Sequence, residues 1–197
     1  MSSIFPSLQR TVVAGFVLLV VIILIAGALS GSFVKLDHTW ASGVMRWLHV
    51  MSGVMWIGLL WYLNFVQVPS MPSIPEDQRP AITKVIAPNV LFYFRYAALA
   101  TVITGLLVAS MNGYLLDALM LKKNFYPIGI GMWLALIMAF NVWFLIWPNQ
   151  QKVLGLVDCP ADQKPQAARI ALYASRFNTM ASITMLYCMV AQSHGGF

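Results

Sequence analysis

An all-α integral membrane protein built as a bundle of five transmembrane helices is the fold class that this sequence predicts, on three observations. Of 197 residues, 60% are hydrophobic and only 9% charged, with a mean hydropathy of +0.77. A soluble domain carries about 25% charged residues, so this composition cannot cover a surface facing water. Apolar stretches with few or no charges recur along the chain, and most reach the roughly 20 residues a helix needs to cross about 30 Å of hydrocarbon. Inside lipid every backbone polar group has to be satisfied locally, which makes helices the form those stretches take. The two cysteines, Cys159 and Cys188, are too few for a disulfide framework. A soluble enzyme, a disordered chain and a disulfide scaffold are thereby excluded.

The first stretch, Thr11–Gly31, follows Arg10 and ends near Ala26-Gly27-Ala28, an imitation of a secretory signal. Its apolar core is longer than the roughly 7–15 residues of signals, so it reads as a retained anchor helix. Trp47–Gln67 is the second stretch, with His49 its titratable group inside the apolar run, and Tyr96–Leu116 is the third. Pro127–Trp147 is the fourth, with Trp147-Pro148 marking its exit, and Phe177–Ser193 the fifth, which becomes long enough if it starts near Ala168. As helices the spans are placed at about 11–31, 43–67, 89–111, 127–147 and 168–192. In the proline-rich connection 69–88, Ser73 with Pro75 and Glu76 reads as the start of a short surface helix. The chain shows no repeat and no low-complexity tract, so 1–197 reads as a single membrane domain.

The formal charge of +6 and pI near 9.6 are explained by topology rather than by nucleic acid, because the basic residues are scattered between apolar runs. Arg10, Arg79, Lys84, Lys152, Lys164 and Arg169 fall on one side and Lys35, Lys122 and Lys123 on the other. The positive-inside rule then puts the amino terminus in the cytoplasm and the carboxyl terminus in the periplasm. Gly27 and Gly31 have GxxxG spacing, and Ala97, Thr101, Gly105 and Ala109 make a stripe of small residues, for packing within the bundle or against a partner subunit.

The second span carries the candidate chemistry. At 100° per residue one face holds Arg46, His49, Gly53, Trp56, Leu60, Asn64 and Gln67, and a polar face of that length has to point into the bundle. A buried neutral imidazole at His49 is a ligand for haem iron or copper, with Gly53 leaving room beside it for a flat group. It is equally a histidine that donates one hydrogen bond across helices. His38 and His194 fall on the same side, so the three histidines, with Asp37, can form one external copper or zinc site. His38 and His194 are equally ordinary solvated histidines, and Met45 is another possible second ligand. A second polar group gathers Asn64, Gln67, Arg95, Asn141, Arg176 and Asn178, with no acidic residue in the spans to neutralise either arginine. Such cations take an anion, a lipid headgroup, a haem propionate or a water-filled cavity, or they snorkel to phosphates. There is no Cys-x-x-Cys-His and no phosphate-binding glycine motif, and the spans lack the carboxylates that a di-iron site needs. No catalytic residue can be named.

The pattern His49-x6-Trp56-x-Gly58 resembles those of CopD-type copper proteins and HemJ-type protoporphyrinogen oxidases. A longer set of strings points elsewhere. Arg46-Trp47-Leu48-His49-Val50, Trp56-Ile57-Gly58-Leu59-Leu60 and Asn64-Phe65-Val66-Gln67-Val68-Pro69 resemble the membrane domain of PuuD-type urate hydroxylases, the urate oxidase N-terminal family. Phe94-Arg95-Tyr96, the run from Phe140 to Gln150 and Arg176-Phe177-Asn178 are similar as well, so the likeness covers Arg46 to Asn178. It implies a multi-pass oxidoreductase of the bacterial inner membrane, in a family whose full-length members add further spans and a carboxyl-terminal c-type cytochrome. This chain lacks the cytochrome motif, so the expectation is a redox subunit that holds haem b, or copper, and passes electrons to a separate partner such as a cytochrome c. Cofactor contacts are expected from His49, Arg46, Gly53, Trp56, Arg95, Asn141 and Arg176, and metal contacts from His49, His38 and His194. The alternatives are a non-catalytic accessory subunit bracing a larger membrane oxidase or monooxygenase, and a carrier of small anions, against which the lack of inverted repeats argues.

Overall fold

A computed structural model describes residues 4–195 of the chain, apart from the side chains of Ser193 and His194. The described residues are helical throughout, with no strand. We number the helices α1 (Leu8–Ser30), α2 (His38–Ser73), α3 (Ala81–Met111), α4 (Leu115–Leu119), α5 (Lys123–Leu154) and α6 (Lys164–His194). Helices α1, α2, α3 and α5 are long and apolar enough to cross a membrane. The chain divides into two compact units, Met1–Gly43 and Val44–Phe197.

In the first unit, α1 presents large apolar side chains all round, and Gly27 is its one buried residue. The two glycines of the GxxxG spacing have local duties here. A Cβ on Gly27 would sit 2.8 Å from the Phe33 ring, so this glycine seats the chain's own returning loop. Gly31, at φ +65°, is the left-handed residue that ends the helix, a conformation that costs glycine little. Asp37 Oδ1 accepts the Trp40 N–H at 2.9 Å and so caps the start of α2, a job for a carboxylate beside unpaired N–H groups.

In the second unit, α2, α3, α5 and α6 share one core of Trp56, Leu60, Leu91, Phe94, Met138 and Val142, with alanines of α3 and α6 between them. Lipid tails are as apolar as these side chains, so close packing and hydrogen bonds between helices must hold the bundle. A smaller cluster closes the far end, where Ala109, Ala118, Ile128 and Met132 bring α4 against α3 and α5. Outside these clusters the surface carries large apolar residues such as Val54, Phe65, Phe144, Met180 and Ile183, as a lipid-facing wall does.

The helices outrun the predicted spans, and the reason is proline. The sequence reading ends the fourth span at Trp147-Pro148, yet α5 continues to Leu154; likewise α2 runs on past Pro69 to Ser73, and α3 starts before Pro88. Ser73 closes a helix rather than opening one. Proline has no N–H and its ring collides with the carbonyl four residues back, which normally breaks a helix. Each of these prolines instead follows a widened π-helical turn that ends two residues earlier: Tyr62–Gln67, Ala81–Ile86 and Asn141–Ile146. The residue just before each proline (Val68, Ala87, Trp147) donates its N–H five residues back, to Leu63, Ile82 and Val142. Widening the turn by one residue accommodates the ring without ending the helix.

Candidate functional site

The predicted inward face of α2 is found from His49 onward. His49 and Gly53 are half-buried, Trp56 and Leu60 fully buried, Asn64 buried and Gln67 half-buried, whereas Arg46 is exposed. His49 lies on α3. Its Nδ1 stands 2.9 Å from the Thr101 carbonyl oxygen and 3.3 Å from Thr104 Oγ1. A carbonyl only accepts, so Nδ1 carries the proton and donates, and Nε2 keeps its lone pair. The small-residue stripe explains how the ring gets so close. A Cβ on Gly105 would meet His49 Cε1 at 2.8 Å and Nδ1 at 3.1 Å, so the absent side chain is the cradle for the imidazole. Gly53 faces the same helix, but its Cβ position falls 3.9 Å from the Thr101 methyl, an ordinary contact that does not require a glycine.

At this end of α2 the Arg46 charge acts on Tyr114, on the connection between α3 and α4. Burial pushes the Tyr114 phenol up from its ordinary range, and the nearby guanidinium pulls the other way. Tyr114 also stacks on Phe125, 6.0 Å between centroids.

The second polar group resolves into separate clasps. Asn141 and Asn178 meet between α5 and α6: Asn141 Nδ2 donates to Asn178 Oδ1 at 2.8 Å, and Asn178 Nδ2 donates to the Met138 carbonyl at 2.9 Å. Asn64 Nδ2 donates to Ser175 Oγ at 2.7 Å and to the Leu60 carbonyl at 2.9 Å, tying α2 to α6. The Trp61 indole adds a bond to Ser182 Oγ at 3.0 Å. Arg176 is exposed. The Arg95 guanidinium carbon sits over the Trp147 ring, 3.3 Å from its centroid, with Trp143 and Tyr96 each under 6 Å and its Nε donating to the Leu91 carbonyl. Aromatic faces thus attract the charge for which no carboxylate is present.

Sequence reasoning missed Thr104 and the Trp147 stacking partner, and read Thr101 as a packing residue rather than as the acceptor for His49. The i to i+4 spacing of Gly105 with Thr101, and a tryptophan pair level with a lone arginine, were the available signals. His38 opens α2 and is exposed, and the side chain of His194 lies outside the described residues. Among the described residues no three His, Cys, Asp or Glu side chains gather as a metal site. Among the described residues, four buried polar atoms lack a hydrogen-bond partner: Trp56 Nε1, Asn64 Oδ1, Gln67 Oε1 and Trp143 Nε1.

No curated protein and no solved structure matches the chain significantly. A family model described as urate oxidase N-terminal matches residues 97–196, just over half of the sequence. That stretch runs from the middle of α3, including Thr101 and Gly105 opposite His49, through the Asn141–Asn178 clasp. Together with its apolar helices, this match identifies a multi-pass membrane protein that belongs to the urate oxidase N-terminal family.

Proposed function

We propose that the chain is a membrane-integral redox subunit that holds haem b, or copper in its place, through His49 Nε2. The observation that carries this reading is the Nδ1 donation to the Thr101 carbonyl. Metal-ligating histidines almost always donate their other ring N–H to a carbonyl or carboxylate, which sets the tautomer and the ring plane. The Gly105 cradle, which a Cβ would fill, holds that ring in place, so the residues present fit a histidine that would hold a metal. Met45, half-buried one turn away, is the candidate for a second ligand within the same unit, and His194 is the other. Arg46, Arg95 and Arg176 supply the cations for the carboxylates of such a cofactor, and Gly53, Trp56 and Asn141 line the same bundle. When bound, the group would supply one-electron transfer to a separate acceptor such as a cytochrome c. The protein's own part is to fix the imidazole and keep water from it. The same reading has five spans in a bacterial inner membrane, α6 being the fifth, with the amino terminus cytoplasmic.

A second reading rests on the same bond. A histidine held by a carbonyl also joins α2 to α3, as the Asn64, Trp61 and Asn178 bonds join the other helices. The chain is then an accessory subunit that braces a larger membrane oxidase or monooxygenase. An absorption spectrum and metal analysis of the purified full chain separate the two. A Soret band or bound copper that His49→Ala abolishes and Arg79→Gln keeps supports the redox reading. A colourless, metal-free protein that co-purifies with a multisubunit enzyme ends it in favour of the second.

A further inference from the structure

Two open surface hollows of about 550 and 500 Å3 share Ile170 and Tyr173, the first along the start of α6 alone and the second between α5 and α6. The first part begins at the start of α6 and is lined by Asp162, Gln166 and Arg169. The second continues along Ile137, Leu145, Ala174 and Phe177. Asn141 also reaches it, with one amide N–H donated to Asn178, and the rest of the inner lining is Ile137, Leu145, Ile170, Tyr173, Ala174 and Phe177, so this part is mainly apolar. Polarity therefore changes once along the groove, from charged to greasy. Arg169 and Phe177 are eight residues apart on one helix, about 12 Å at 1.5 Å per residue, close to the roughly 15 Å of one leaflet's hydrocarbon. Asp162 and Arg169 both face the mouth, yet neither forms an ion pair among the described residues, where the pairs are Arg79–Glu76 and Lys122–Asp117.

We propose that this groove is a binding site for a single phospholipid with a phosphoethanolamine headgroup, its phosphate on Arg169, its ammonium on Asp162 and one acyl chain along Ile137, Leu145 and Phe177. A phosphoethanolamine headgroup answers both charges of the mouth, with an anion for Arg169 and N–H donors for Asp162. Guanidinium binds phosphate through parallel N–H donors, and a carboxylate accepts from a primary ammonium. A choline headgroup has no N–H to give Asp162, and a glycerol headgroup brings no cation. The proposal does not depend on what His49 holds.

The test reconstitutes the full chain into nanodiscs with equal parts phosphatidylethanolamine, phosphatidylcholine and phosphatidylglycerol, then extracts it gently and weighs the retained lipid by native mass spectrometry. Phosphatidylethanolamine is expected to be retained over the other two. Arg169→Gln should lower that retention about tenfold, the worth of one charge-assisted bond. Asp162→Asn should keep a lipid bound but remove the discrimination between ethanolamine and choline. Both side chains are exposed, so unfolding temperatures should stay unchanged and serve as the control for folding. Equal retention of the three lipids, a phosphatidylglycerol preference, an Arg169→Gln variant that behaves like the parent, or a lipid-free dimer would each overturn the proposal.

Discussion

At the scale of single residues, Asn178 makes two bonds from a position with 0% exposure. It accepts from Asn141 and donates to Met138, so Asn178→Ala takes the partner from a buried Asn141 N–H and leaves the Met138 carbonyl with its backbone bond from Asn141 alone. Bonds between membrane helices average about 0.6 kcal/mol, and orphaning a buried group adds to that, so a loss of about 1–3 kcal/mol is expected. Asn141→Ala breaks one of the two bonds and should cost less. Unfolding in mild detergent ranks the pair, and the reverse order would refute the clasp. Gly105→Ala is the counterpart on α3. The new methyl would lie within 3.1 Å of two ring atoms of His49, and overpacking of this kind costs about 1–3 kcal/mol. The ring must leave the Thr101 carbonyl to make room, so any Soret band should shift or vanish along with the stability. The sequence made His49 and its inward face legible because helical periodicity depends only on spacing. Thr101 and Gly105 were legible as a packing stripe but not as the seat of the imidazole. That pairing depends on how α2 and α3 align, which no local pattern encodes.

At the scale of elements, the spans were legible as apolar runs and their ends were not. Proline usually stops a helix, so the reading from sequence stopped there. The widened turns let the chain continue, and they place Asn64 and Asn141 inside the bundle at the same time. Pro148→Ala restores an N–H and removes the ring, so the turn at Asn141–Ile146 is free to tighten to an ordinary α-helix. Losing one residue from a turn rotates everything beyond it by about 100°. Trp147 would then leave the Arg95 guanidinium that it stacks on. A double-mutant cycle between Arg95→Gln and Trp147→Leu measures this directly. A coupling of about 1 kcal/mol is expected with the proline and close to none in the Pro148→Ala background. Equal coupling in both would mean that the proline does not hold the wide turn.

At the scale of the whole molecule, the two native cysteines report on topology without any substitution. Cys159 lies in the connection from α5 to α6 and is partly accessible, whereas Cys188 is buried in α6 against Gly131 of α5. The positive-inside reading puts the α5–α6 connection in the cytoplasm, in company with Lys152, Lys164 and Arg169. A thiol reagent that cannot cross membranes should therefore label Cys159 in inside-out vesicles and leave it untouched in intact cells. Cys188 should react from neither side until the bundle is unfolded. Lys122→Cys, on the connection from α4 to α5, should show the opposite sidedness, and Ser73→Cys should match Cys159. If Cys159 and Lys122→Cys label from the same side, α5 does not cross the bilayer and the alternation of spans collapses. If both swap sides, the spans stand and the orientation is reversed, which would bring the His49 end of α2 to the cytoplasmic face and require its electron acceptor there.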